Sequence, residues 1–296
     1  MQTGLLSIVR GAAKDFVEDG CTTRAAALSY YTVFALPPLL VLLIMLAGAI
    51  WSADTVTRAL ETQFAGLVGA EGGRAIAGMI GSSQQGDRGT IATILGFVGL
   101  IVGATGAFLS LQDALNTVWE VKPDPKAGGI KHFLAKRLLS LGMVMGVAFL
   151  LVVSLAVTAA LSALSNSIGV AGPVMQVVTF LVSLAILGVL FAAMYKFLPD
   201  AVISWRDALI GGAVTAVLFE LGKFAIGFYL GHKNPGTAFG AAGALAVILV
   251  WIYYAGILVL FGAELTQQYA VTRGHGIRPE KGAVRVVERE EIERRG

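Results

Sequence analysis

The chain has 296 residues, 56% hydrophobic and only 14% charged, with 37 glycines, a net charge of +3 and a mean hydropathy of +0.77. Soluble domains carry about 25% charged residues, so this balance excludes an ordinary soluble globule and a disordered chain. A single cysteine, Cys21, excludes a disulfide-stapled module.

Residues 1–24 place Leu5, Ile8, Val9, Ala12 and Phe16 at helical spacing, with Arg10, Lys14 and Glu18 elsewhere on the wheel. That pattern predicts a short amphipathic helix on the inner membrane surface. Asp15, Glu18 and Asp19 interrupt any apolar core before Arg24, so no cleavable signal peptide is expected.

A spanning helix needs about 20 apolar residues to cross roughly 30 Å of hydrocarbon. On that measure six spans are predicted, at about 25–51, 90–112, 138–163, 174–195, 208–230 and 238–263. The third and fourth come from one run, Leu138 to Tyr195, of 58 residues without Asp, Glu, Lys or Arg. It is divided by the turn signal Ser165-Asn166-Ser167 with Gly169, Gly172 and Pro173. The fold class is therefore all-α: a polytopic membrane protein with a membrane domain over 25–268 and a charged tail over 269–296. Lys and Arg number 17 in the segments on the side of the termini and 4 on the other. This predicts that both termini are cytoplasmic.

The 52–89 loop is then extracytoplasmic and long for a connector. Val56, Leu60, Phe64, Leu67 and Val68 keep one apolar face, and Ala75, Ile76, Met79 and Ile80 a second, which predicts a helical hairpin. Ser52 or Asp54 is its expected cap. The hairpin either rests on the outer leaflet or lids a cavity mouth. The tail from Ile277 has 11 charged residues in 20, and a solvated or partly helical cytoplasmic end is expected, a basic patch for membrane lipid headgroups being an additional reading.

Within the spans, Pro37-Pro38 removes backbone donors and predicts a kink or break, just after Ser29, Tyr30, Tyr31 and Thr32. Broken helices beside polar residues are where transporters hold substrate. In the second span Gly96, Gly99, Gly103 and Gly106 recur three and four apart, a seam for close helix packing. Asp113 ends that seam as a gate or anchor candidate. Glu220 and Lys223, at i and i+3, share one side of the fifth span near its middle. A charge there costs at least about 2.5 kcal/mol on insertion scales. The pair either fixes helix register or handles a substrate or ion, with Lys223 facing an anionic group and Glu220 carrying a proton or cation.

His132, His232 and His275 show no metal-ligand spacing. Phosphate-binding loops, nucleophile elbows and Cys/His clusters are likewise missing from the sequence. Neither catalysis, a cofactor, a metal nor a nucleic-acid partner is expected.

Over roughly residues 10–272 the sequence resembles the YihY/BrkB family of bacterial inner-membrane proteins, once named ribonuclease BN. The resemblance is carried by Ala25-Ala26-Ala27-Leu28-Ser29-Tyr30-Tyr31, Leu36-Pro37-Pro38-Leu39, Leu115-Asn116 with Trp119, and Tyr195 with Leu198-Pro199. Trp205-Arg206-Asp207-Ala208, Glu220 with Lys223, Trp251-Ile252-Tyr253 and Gly262-Ala263-Glu264-Leu265 continue it. Phe239-Gly240 stands where the family usually has Tyr-Gly, losing one hydroxyl. The resemblance implies a six-span, multi-pass protein of the bacterial plasma membrane, with transport or export of a lipid, small solute or ion suspected.

The expected substrate-contacting residues are Glu220, Lys223, Tyr30, Tyr31, Asp113, Asn116, Tyr195 and Tyr253. Pro37, Pro38, the four seam glycines, Trp119, Pro199, Trp205, Trp251 and Glu264 are expected to be structural. A non-transporting scaffold or envelope-integrity factor is the alternative. A ribonuclease, as in the old family name, is a remote third.

Overall fold

A computed structural model describes residues 4–48, 51–52, 54–62, 65, 73, 77–78, 80–81, 90–124, 173–233, 243–273 and 276–286. The third expected span, the 164–172 turn and most of the 52–89 loop lie outside these residues. Helices dominate what is described: α1 (Leu5–Glu18), α2 (Cys21–Gly48), α3 (Thr90–Val118), α4 (Pro173–Phe197), α5 (Trp205–Lys233) and α6 (Gly243–Thr272). Two stretches among them, Val177–Phe197 and Leu245–Thr272, are long and apolar enough to cross a membrane, with mean hydropathies of 2.6 and 2.4. Val177, Phe180, Leu181 and Val189 of α4 are exposed, as a lipid-facing surface requires.

α6 is the hub. It packs against α5 on one side and α2 on another, while α4 packs on α5 and α3 on α2. Small residues set these approaches. A Cβ at Gly103 would lie 3.1 Å from the Ala35 backbone, and one at Gly106 would lie 2.7 Å from the Tyr31 ring, so the glycine seam of α3 seats α2. Gly96 and Gly99 are helical in α3, but their surroundings are outside the described side chains.

Of the kink or break expected at Pro37-Pro38, the break is not made, because α2 runs as one helix through both. Proline frees two carbonyls one turn back. Packing supplies the compensation: Val33, Leu36 and Leu40 are buried in one cluster with Ile248 of α6. The same cluster takes Val56, Leu60 and Ile80 from the 52–89 loop. Residues 54–62 are helical, and the Ser52 hydroxyl accepts the Thr55 N–H at 3.3 Å as their cap.

α1 is docked more firmly than a surface helix needs to be. Ala12 is fully buried, Phe16 meets Phe261 edge-on at 5.8 Å, and Asp15 accepts a hydrogen bond from the Gln268 amide. The exposed apolar residues are Leu5, Leu6, Val9 and Val17, only partly those on the predicted face. Gly20, at φ 62°, turns the chain from α1 into α2 in the left-handed region that suits glycine.

The tail also departs from expectation. Ala283–Arg285 forms a strand, β2, antiparallel to β1 (Val121–Pro123), with Val121 opposite Arg285. Upstream of β2, the Val202 N–H donates to Arg278 O at 2.8 Å and the Glu280 N–H to Asp200 O at 2.9 Å. This part of the tail is therefore threaded between the 119–124 and 198–203 loops. Val121 and Ala201 are buried, and extended backbone pairing satisfies the tail while its charges stay outside.

Candidate functional site

The site is built on α5. Ala208, Gly212, Ala216 and Glu220 recur at a spacing of four, so they lie along one stripe of the helix. All four are buried. At Gly212 the stripe touches α4 so closely that an added Cβ would sit 2.6 Å from Ala192 N. Glu220 continues this dry stripe near the middle of a 29-residue helix. At a rise of about 1.5 Å per residue, roughly 20 Å of helix lies on either side of it.

The Glu220 side chain is 7% exposed, and its Oε2 accepts from Lys223 Nζ at 2.7 Å. Oε1 is buried and has no hydrogen-bond partner among the described residues. Lys223 keeps 25% exposure. A carboxylate with one oxygen used and one open can take a further donor, while the ammonium has two more protons to offer an anion. Next to Glu220 in the sequence, Phe219 meets Phe191 at 5.7 Å and Trp251 at 5.8 Å, and Trp251 meets Tyr254 at 6.4 Å.

The other expected contact residues are not gathered around this pair. Tyr195 is fully buried, and its hydroxyl donates to Val259 O at 2.7 Å while bonding Thr215 Oγ1 at 3.0 Å. It knots α4, α5 and α6. Asp113 is 76% exposed and paired with Arg24 at 2.6 Å, a clasp between α3 and α2 rather than a carboxylate inside the bundle. Asn116 donates to Asp200 Oδ2 at 2.9 Å and accepts the Asp200 N–H at 2.7 Å. Both ends of its amide hold the loop after α4. Tyr30 and Tyr31 are 58% and 42% exposed on α2, where Tyr30 meets Tyr31 and Phe34 edge-on. Tyr253 packs against the main buried cluster, which contains Trp119. Trp251 and Pro199 are buried, whereas Trp205 is 53% exposed and stacked edge-on with Phe197 at 5.4 Å.

A model of the family described as Virulence factor BrkB matches residues 12–285. The chain belongs to this family. Among BrkB relatives, a UPF0761 membrane protein of Ralstonia nicotianae is 31% identical over 273 residues, covering 91% of this chain and 60% of its own length. One of Alcanivorax borkumensis is 30% identical over 271 residues, covering 88% and 60%. One of Pseudomonas aeruginosa is 30% identical over 275 residues, covering 90% and 64%. The chain thus spans about 60% of the length of the first curated relatives it matches. No solved structure matches it. It is a membrane protein of the BrkB family, mostly helical.

Two BrkB residue pairs escaped the sequence analysis. Gly211 faces Thr266, and Gly262 faces Thr215, so α5 and α6 cross through reciprocal glycine–threonine contacts. The signal was present as Gly-x-x-x-Thr on both helices, the same small-residue logic that flagged α3. Asp200 and Arg285, which complete the loop locks, carried no local signal. Their partners, Asn116 and Glu120, lie 84 and 165 positions away.

The Asn116 lock makes a measurable demand. Asn116→Ala removes a bond to a carboxylate and a bond from a backbone N–H. Losses of this kind cost about 1.5–3 kcal/mol when a charged group is involved. A lowered thermal midpoint in detergent is expected, with faster hydrogen exchange at the Asp200 amide. Unchanged exchange at that amide would show that the loop is held without Asn116.

Proposed function

We propose that this BrkB chain is a transporter or exporter of the bacterial inner membrane, moving a lipid, small solute or ion past Glu220 and Lys223. The observation that supports it is the buried Glu220 carboxylate at mid-helix, half satisfied by Lys223 and open at Oε1. Intramembrane charges are costly to insert and default to substrate or ion pathways. In this proposal six helices span the membrane, both termini are cytoplasmic, and residues 52–89 lie outside. The substrate carries a negative group for Lys223 or a donor for Glu220. Membrane lipids are the surrounding partners, nucleic acid has no part, and no covalent chemistry is done.

A scaffold role is the second reading, favoured by a specific observation. Tyr195, Asn116 and Asp113 are all taken up by contacts within the protein, and α2 lacks the break that would have opened a second binding point.

The exchange Glu220→Lys with Lys223→Glu separates the two. It keeps an ion pair at i and i+3, so folding should survive with a thermal midpoint near that of the parent. In a deletion strain the exchanged protein is expected to lose complementation, because the ligand meets its charges in reversed order. Full complementation would return the pair to a register-fixing role and favour the scaffold.

A further inference from the structure

The Glu220–Lys223 pair has bonding capacity left on both of its members. Glu220 is 5% exposed, and its Oε2 takes one proton of the Lys223 ammonium at 2.7 Å. Its Oε1 is buried without a partner among the described residues, and a carboxylate oxygen only accepts. The Lys223 side chain is less buried, and its two remaining ammonium protons are only donated. An open acceptor and open donors therefore stand three residues apart on α5, on the two members of one ion pair.

Net charge narrows what such a site takes. The pair is neutral as a whole. A purely anionic ligand on Lys223 would give the site a net negative charge and compete with Glu220 for the same ammonium. A purely cationic ligand on Oε1 would give it a net positive charge and lie against that ammonium. Either leaves an uncompensated charge in an apolar medium, which is costly. A neutral polar ligand adds no charge but offers neither open group an opposite one. A ligand carrying both an ammonium and an acid group satisfies Oε1 and Lys223 together and keeps the site neutral.

The helix surface around the pair sets the side of approach. Gly222 lies about 200° round α5 from Glu220 at 3.6 residues per turn. There α6 closes on α5, since an added Cβ would sit 2.7 Å from Leu258 Cδ1 and 2.9 Å from the Tyr254 hydroxyl. Val217 and Leu221, at i−3 and i+1 from Glu220, share the opposite flank and are exposed. A ligand therefore reaches the pair along an apolar flank, away from α6.

We propose that the Glu220–Lys223 site takes a zwitterionic ligand, its ammonium on Glu220 Oε1 and its phosphate or carboxylate on Lys223. This rests on the reading of the pair as a substrate site given above and narrows that substrate to one class. The ligand spans the pair and displaces neither member. An aminophosphate lipid headgroup and a free amino acid share this chemistry, and the apolar flank at Val217 and Leu221 has room for the chains of the first.

Calorimetric titration of the full chain in dodecyl maltoside, with probes that differ in charge, tests this. Glycerophosphoethanolamine and β-alanine are zwitterions, glycerophosphoglycerol is an anion and ethanolamine a cation. A zwitterion is expected to bind at least about tenfold more tightly than either singly charged probe, a difference that charge complementarity readily supplies. Mass spectrometry of lipid retained by the purified protein covers the membrane source: phosphatidylethanolamine should be enriched over phosphatidylglycerol. A soluble zwitterion bound without that enrichment assigns a free solute, and enrichment assigns a lipid. Glu220→Gln leaves the site with a net positive charge, so its preference should shift to glycerophosphoglycerol or phosphatidylglycerol. If that variant fails to fold, Glu220→Gln with Lys223→Met, which leaves no unpaired charge, should lose the zwitterion preference. Anionic probes bound by the parent as tightly as zwitterions overturn the proposal. So do binding or enrichment of no zwitterion, and a zwitterion preference that survives in the variants. The two readings fail separately: full complementation by the charge exchange removes transport while a zwitterion-selective parent keeps the site, whereas lost complementation with an anion-selective parent keeps transport and removes the zwitterion.

Discussion

Gly212→Ala is expected to disrupt the α4–α5 pair, although it adds only one methyl group. The new Cβ would lie 2.6 Å from Ala192 N and 2.9 Å from Ala192 Cα, and closer still to Gly188 O. These are backbone atoms of a neighbouring helix, so no rotamer change can relieve the clash. Overpacking of a well-packed interior costs about 1–3 kcal/mol, and a clash with backbone belongs at the upper end or above it. Total stabilities are only about 5–15 kcal/mol, so a large drop in thermal midpoint in detergent is expected. Gly48→Ala is the control, because an added Cβ there meets nothing within 4 Å. Equal midpoints for the two variants would mean that α4 and α5 are not seated this closely.

Lys223→Met should be nearly as damaging, for an electrostatic reason. It leaves the Glu220 carboxylate, 7% exposed, without its counter-charge. Breaking a buried pair from one side costs about 3–5 kcal/mol, whereas replacing both partners with groups of similar volume is often close to neutral. The double variant Glu220→Gln with Lys223→Met should therefore recover most of the stability lost by Lys223→Met alone. Recovery of stability without recovery of complementation would support the transport reading. A single variant no less stable than the double would show that water already reaches Glu220 in the folded protein.

Much of this architecture was legible from local pattern. The apolar stretches now seen as α2, α3, α4 and α6 were delimited by their charge-free runs, and α5 by an apolar run that only Glu220 and Lys223 interrupt, since hydrophobic length is a property of contiguous sequence. The α3 seam was legible for a related reason: glycines three and four apart mark a close approach whatever the partner. Glu220 and Lys223 could be paired from spacing alone, and the 2.7 Å contact is what that spacing produces.

The locks at the strand-bearing end were not legible. Asn116 and Asp200 look like ordinary loop-edge polar residues, and only the meeting of α3 with the turn after α4 makes them a reciprocal pair. The tail misled because its charge density suggested solvation. The stretch Gly282-Ala283-Val284-Arg285 did carry a turn-then-strand signal, yet a three-residue strand gains nothing until a partner such as β1 is beside it. Pro37-Pro38 did not break the helix as one alternative had it, since α2 runs on through both while Val33, Leu36 and Leu40 are buried against α6.

The sequence by itself determined that this is a helical membrane protein, where its described apolar helices lie, and that one carries an ion pair at its middle. Each of these follows from short-range periodicity and the cost of charge in an apolar medium. Only the tertiary structure decided which polar groups are consumed by packing and which remain open. Tyr195, Asn116 and Asp113 found partners on other helices and loops, whereas Glu220 Oε1 and Glu264 Oε2 found none among the described residues. Hydrogen-bond satisfaction depends on atoms brought together from distant parts of the chain, and no local pattern encodes it.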